Sequence, residues 1–315
     1  MASISTVPAP IREGAPKAKL ASDQSPLRRT LRRLTSHRSA QVGFVLLALL
    51  VFIALFADVI APYKYDEQVK TKGLRPRAVP CVHLLGCDAS KPELIFGLDS
   101  NKRDVFSRVL HGSRLSLQIG FATVGFAIII GALIGAFAGY MGGWVDNIFM
   151  RIMDVLLAFP SLLLAIAIVT VLGYGLINTL LAIGIVSIPV YARIVRASVL
   201  SVKELDFISA SRALGASPLR ILFTRILPNS LTPLIVQGTL GIATTILEAA
   251  GLSFLGLGAQ PPLPEWGLMI GAERESVFSA PHQLVFPGIA IMMTVLAFNL
   301  IGDGLRDALD PRRKA

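Results

Sequence analysis

Glu248, in TILEAAGLSF, is the one acidic side chain set well inside a charge-free apolar run. An ionised carboxylate there has little water around it and needs a partner. Two uses fit: lining a path and attracting a cation such as a peptide amino terminus, or holding neighbouring helices in a structural or gating role, which is the favoured reading. Cys81 and Cys87 flank His83 in PCVHLLGCD. On an oxidising side they would close a small disulfide loop; the rival readings are two free thiols or a sparse metal site with His83. That set is too thin for a closed zinc centre, so no metal site is assigned. Asp154 follows Arg151 by one helical turn, a spacing that suits an ion pair better than a proton relay. The four histidines, His37, His83, His111 and His282, lie outside the apolar runs, no HExxH is present, and Gly302-Asp303-Gly304 lacks the GxGD order of intramembrane aspartyl proteases. None of the nine lysines follows a glycine, so the phosphate-cradling GxxxxGK[ST] is absent as well. The chain is expected to carry no catalytic residue and no cofactor, and energy for uphill work has to come from a partner.

The elements that position these residues are set by composition. Of 315 residues, 53% are apolar and 16% charged, against roughly 25% charged in soluble domains. That argues against a soluble enzyme. The net charge of +10 has no water-soluble body on which to form a nucleic-acid-binding face. A charged side chain in mid-bilayer costs at least ~2.5 kcal/mol and about 20 apolar residues span the hydrocarbon, so charge-free runs mark the spans. They are Ala40 to Ala57, Leu115 to Val145, Val155 to Ala192 split in two at the turn-like LGYGLIN, Ile226 to Leu247 continuing past Glu248 to about Leu257, and Gln283 to Gly302. This predicts an all-α polytopic membrane protein with six transmembrane helices and both termini on one side. The first run has no clean cleavage site after it and reads as an uncleaved anchor. Pro160 and Pro189 fall inside the third and fourth spans, where they would bend the helices.

Basic residues set the orientation. Nineteen of the thirty Lys and Arg fall in the N-terminal tail, the second-to-third loop, the fourth-to-fifth connection and the C-terminal end; ten lie in one long segment, Pro62 to Arg114. Short loops rich in Lys and Arg stay cytoplasmic, whereas long segments cross with weaker regard for charge. The expected layout is a cytoplasmic tail over 1–40, disordered in its first 25 residues, a first helix over 41–61, and an extracytoplasmic loop over 62–114. A core transmembrane domain over 115–306 and a cytoplasmic tail over 307–315 complete it. In the outer loop, Val105, Phe106, Val109 and Leu110 interleave with Arg103, Arg108 and Arg114, the pattern of an amphipathic helix along the membrane or of a helix-entry segment. In the second span, Gly131, Gly135 and Gly139 recur every four residues and clear one helix face for a close neighbour, within the chain or in another.

The cytoplasmic connection 203–229, KELDFISASRALGASPLRILFTRILPN, is more elaborate than joining two spans requires. Glu204 and Asp206 suit a first helical turn, Gly215 a left-handed stop, Ser217 an N-cap, Pro218 the first helical position and Pro228 an end. The expected product is an elbow of two short helices whose small residues let another protein approach. Docking to a cytoplasmic partner is the function inferred from it.

This stretch resembles the EAA loop of binding-protein-dependent ABC importer permeases. Ser209, Ala210 and Ser211 stand where the family has Glu-Ala-Ala, Gly215 at its glycine, and Leu227 and Pro228 at its closing Leu-Pro. RDVFSRVLHGSRLSL, EAAGLSFLGLGAQPPLPEWG and NLIGDGLRDALDPR look like the dipeptide, oligopeptide and nickel branch, in the right order, although Lys102 stands where a glycine usually precedes Arg-Asp. The resemblance implies a type I importer permease in a prokaryotic plasma (inner) membrane, carrying peptides or, alternatively, nickel or another small solute. It implies a homologous second permease, two cytoplasmic ATPase domains that bind ATP and Mg, an extracytoplasmic substrate-binding protein and surrounding membrane lipid. Ser209, Ala210, Ser211, Arg212, Ala213, Leu214, Gly215, Ala216 and Ser217 would form the helix seated on an ATPase. A proton-coupled secondary transporter would instead need several mid-membrane acids or histidines and internal inverted repeats.

Overall fold

A computed structural model describes residues 37–309 except 72 and 89. The expected disorder at the start of the chain and the extreme C-terminal tail lie outside the described residues. The chain runs through α1 (Arg38–Ile60), α2 (Val105–Met141), α3 (Gly143–Leu157), α4 (Ser161–Leu172), α5 (Leu176–Val202), α6 (Asp206–Ala213), α7 (Pro218–Ile221), a π turn (Leu222–Ile226), α8 (Leu227–Asn229), α9 (Leu231–Phe254), α10 (Trp266–Ala272) and α11 (His282–Leu309). No strand forms among the described residues. Helices suit these apolar runs because they satisfy every backbone polar group within the segment, which lipid cannot do.

Five helices, α1, α2, α5, α9 and α11, are each long and apolar enough to cross a membrane, and the pair α3 and α4 forms a sixth, broken element bent by 94°. The expected third span therefore needs correction. Pro160 is the N-cap of α4 rather than a kink within one helix. Its ring supplies no N–H and restricts the residue before it, so the chain turns instead of bending gently. Pro189 does lie inside α5, as the sequence suggests.

Of the two readings of the amphipathic segment, the helix-entry one holds. Val105 to Gln118 is no separate surface helix but the start of α2, whose 37 residues extend roughly 55 Å at 1.5 Å per residue. About 30 Å of hydrocarbon leaves several turns standing outside the membrane. Their cations are held by protein. Buried Arg108 donates to the carbonyls of Tyr65 at 2.8 Å and of Pro262 and Leu263 at 3.3 Å. Arg114 reaches Ala54 O at 3.0 Å and Asp58 of α1 at 3.1 Å. Asp104 caps α2, accepting from the Ser107 amide at 2.7 Å and hydroxyl at 2.6 Å, and burial pushes its carboxyl above the ordinary range despite those bonds.

The stretch between α1 and α2 has a small core of Val69, Cys81, Leu94 and Leu98 and three isolated antiparallel bridges. It is clasped to the far end of the chain. Glu273 accepts from Arg77 Nε and the Ser100 amide, both at 3.0 Å, and Gln283 donates to Leu98 O at 3.1 Å. Several of the basic residues that made this segment unusual are thus structural cations.

The main packing is α2 on α5. The glycine seam faces α5 of the same chain: a Cβ on Gly131 would lie 2.8 Å from Tyr191 Cβ and 2.9 Å from Ile188 O, and one on Gly139 would lie 3.1 Å from Arg196 O. At Gly135 it would overlap the Ala192 carbonyl. The remaining helices close around this pair, with α1 against α11 and α9 against α2, α5 and α11.

Candidate functional site

The connection after α5 folds as the predicted elbow. α6 carries Asp206 in its first turn and Arg212 in its last, each sign matched to the helix dipole. Glu204 precedes the helix. Gly215 adopts φ +78°, and the amides of Leu214, Gly215 and Ala216 close onto Ala210, Arg212 and Ser211 carbonyls at 3.1, 2.9 and 3.1 Å. A left-handed residue just past the last turn reverses the chain while satisfying otherwise orphan carbonyls. Ser217 and Pro218 take the N-cap and first positions of α7, although the Ser217 hydroxyl makes no capping bond. The second helix does not end at Pro228. It passes through the π turn into α8 and stops before Leu231.

Ile208, Ile221, Leu222 and Ile226 are buried and root the elbow in the bundle. Ser209, Ala210, Arg212, Ala213, Leu214, Gly215 and Ser217 are exposed, while Ser211 and Ala216 are half-buried. Leu214 is 88% exposed, which leaves a large apolar side chain in water at the bend unless another surface covers it. Beside it lies a recess of about 420 Å³ lined by Ser211, Leu214, Gly215, Ala216, Ile221 and Thr224 with Arg220 and Arg225.

Two ion pairs tie the α3 helix to α5 above the elbow. Asp146 accepts from Arg196 Nε at 2.5 Å and from its Nη2 at 2.6 Å. Asp154 meets Arg193 at 2.5 Å. This corrects the expected Arg151–Asp154 pair: α5 continues to Val202, which keeps Arg193 and Arg196 on a helix facing α3 instead of in the connecting loop. Sequence spacing could not show this, because the partner is 39 residues away.

Glu248 sits on α9 beside the helix break. Its Oε1 accepts from the Ser161 hydroxyl at 3.0 Å, and among the described residues no Lys, Arg or His pairs with it. The carboxylate borders a cavity of about 280 Å³ between the break, α5 and α9.

Cys81 and Cys87 are joined in a disulfide, Cα atoms 5.4 Å apart, around a 3₁₀ turn at His83–Leu85. The His83 ring is engaged by the Lys91 carbonyl at 2.8 Å. Mass spectrometry of unreduced peptides is expected to find the two cysteines linked; two free thiols would refute the link. With a sequence separation of six, opening the ring should loosen this loop by about 2 kcal/mol on chain entropy, read as faster amide exchange over residues 79–96 on reduction.

Residues 131–315 match the family described as the binding-protein-dependent transport system inner membrane component, and residues 25–76 match the N-terminal transmembrane domain of oligopeptide transport permease C. The chain belongs to the first of these families. The permease is 48% identical to the dipeptide transport system permease protein of Alkalihalophilus pseudofirmus over 92% of this chain and 91% of that one. It is 45% identical to the di/tripeptide transport system permease protein of Pseudomonas aeruginosa, covering 92% of this chain and 93% of that one. It is 44% identical to the glutathione transport system permease protein of Pectobacterium atrosepticum, covering 93% and 94% respectively. Its fold is that of a chain in an inward-facing structure of the MetNI methionine ABC transporter, with a TM-score of 0.54 at 19% identity over 64% of this permease and 97% of that chain.

Proposed function

We propose that this permease is one membrane subunit of an ATP-driven importer of short peptides, forming half of the translocation path and relaying the stroke of a separate ATPase. The observation that carries the reading is the elbow: a rooted pair of short helices whose apolar tip, Leu214, has no cover within the described chain. Ser209 to Ser217 would seat on one of two cytoplasmic ATPase domains, where ATP and Mg bind. Arg212, Arg220 and Arg225, exposed around the bend, suit an acidic rim on that partner. A homologous second permease would complete the path and an extracytoplasmic binding protein would deliver the solute. The distribution of Lys and Arg supports a cytoplasmic side for both termini and the elbow. Peptides are favoured over nickel because the relatives just described carry dipeptides, di/tripeptides or glutathione in their names.

The test is purification of the full chain from its native membrane, followed by reconstitution with whatever subunits accompany it. ATPase chains and a second permease should co-purify, and proteoliposomes should accumulate dipeptide only with ATP and binding protein. Peptide uptake by the isolated chain driven by a proton gradient would overturn the reading in favour of a secondary transporter, and uptake of nickel ions without peptides would overturn the substrate class.

A further inference from the structure

We propose that the cavity beside Glu248 is a transient subsite for the α-ammonium group of the transported peptide, with the Glu248 carboxylate as its counter-ion. The inference rests on the peptide-importer reading and adds to it the chemical group that the membrane subunit itself engages. Polar groups break up an otherwise apolar lining: Ser161, Ser187, Tyr191, Gln237, Thr244 and Glu248 border the cavity among leucine, valine and phenylalanine side chains. Three of its hydroxyls already donate within the chain. Ser187 donates to Ile183 O at 2.8 Å, Thr244 to Gly241 O at 3.0 Å, and Ser161 to Glu248 at 3.0 Å. What those three retain for a ligand is lone pairs, alongside a carboxylate without a basic partner among the described residues, while the Tyr191 hydroxyl and the Gln237 amide still have donors to offer a peptide carbonyl. An ammonium brings three N–H donors and no acceptor, which is the complement of the carboxylate and those hydroxyl oxygens. It also supplies the positive charge that an intramembrane carboxylate lacks. The Ser161 hydroxyl keeps Glu248 hydrogen-bonded when the subsite is empty, which moderates the grip and lets the peptide leave, as transport requires.

The reconstituted complex with its binding protein tests this. Glu248→Gln should preserve complex yield and binding-protein-stimulated ATP hydrolysis while dipeptide uptake falls about tenfold, and Glu248→Asp should recover most of the loss. A second measurement needs no variant: an apolar carbodiimide should label Glu248, and millimolar dipeptide should protect it whereas the N-acetylated dipeptide should not. Uptake by Glu248→Gln equal to that of the unsubstituted complex, or equal protection by both peptides, would overturn the subsite alone. An unsubstituted complex that takes up no peptide would overturn the importer reading with it.

Discussion

Gly135→Ala should destabilise the permease by about 1–3 kcal/mol through overpacking, and Gly125→Ala, on the same helix, should not. Both changes add one methyl group and both improve helix propensity, by about 1 kcal/mol at most. The difference lies in what the methyl meets. At Gly125 nothing lies within 4 Å, whereas at Gly135 the new Cβ overlaps Ala192 O and comes within 3.0 Å of Ala192 C and Arg196 N. Those atoms are backbone of α5, so no rotamer change relieves the clash, and the two helices have to separate. Separation along this seam removes dispersion contact, the main term holding helices together in lipid. It also pulls α5 away from α2 next to the Asp146–Arg196 pair, whose bidentate geometry tolerates little displacement. Thermal unfolding of the purified protein in detergent measures both variants. A Gly135→Ala midpoint at or above that of Gly125→Ala would show that the α2–α5 contact is looser than the geometry indicates.

The glycine seam also shows where reading a sequence stops. A four-residue glycine repeat announces a close approach, because it is a property of one helix; which helix fills the face is a property of the fold, and the α5 residues that meet the seam lie about 60 residues further on. The spans were legible for the same reason as the seam, since avoidance of buried charge is local. So was the elbow, where Gly215 and the Ser217-Pro218 pair each impose a backbone state of their own. Asp154 was not. An i,i+3 spacing offered Arg151, but a side chain on a packed helix answers to the neighbouring helix, and there Arg193 is nearer. The outer segment was opaque because its order comes from single long-range bonds, such as Arg108 to three carbonyls, with no repeat to reveal them. Pro160 was visible as a helix disturbance, yet the 94° size of the turn depends on where α4 finds its packing. That turn creates the recess beside Glu248, so the candidate ligand site was legible as a residue and not as a place.

Gly215→Val is the substitution expected to do most damage to transport while leaving the membrane bundle folded. Nothing lies within 4 Å of a Cβ built on Gly215, so the change meets no steric wall inside the chain. Its cost is in the backbone. At φ +78° a β-branched residue carries a penalty of about 1–2 kcal/mol, which the elbow can shed by moving to negative φ. Doing so rotates α7 relative to α6 and breaks the closing bonds from Gly215 and Ala216 to Arg212 and Ser211. The buried roots Ile208, Ile221 and Ile226 belong to either side of the bend, so the spans can remain in place while the exposed tip at Leu214 points elsewhere. A displaced tip is a displaced docking surface. With the proposed ATPase contact at this tip, ATP hydrolysis by the assembled complex should persist while peptide uptake falls about tenfold or more. Asparagine separates backbone strain from simple bulk, because it is larger than alanine yet tolerates the left-handed region. Gly215→Asn should therefore retain most uptake. Equal losses in the valine and asparagine variants would mean that bulk against a partner, and not the left-handed turn, is what position 215 must satisfy; undiminished uptake in Gly215→Val would remove the elbow from the coupling path altogether.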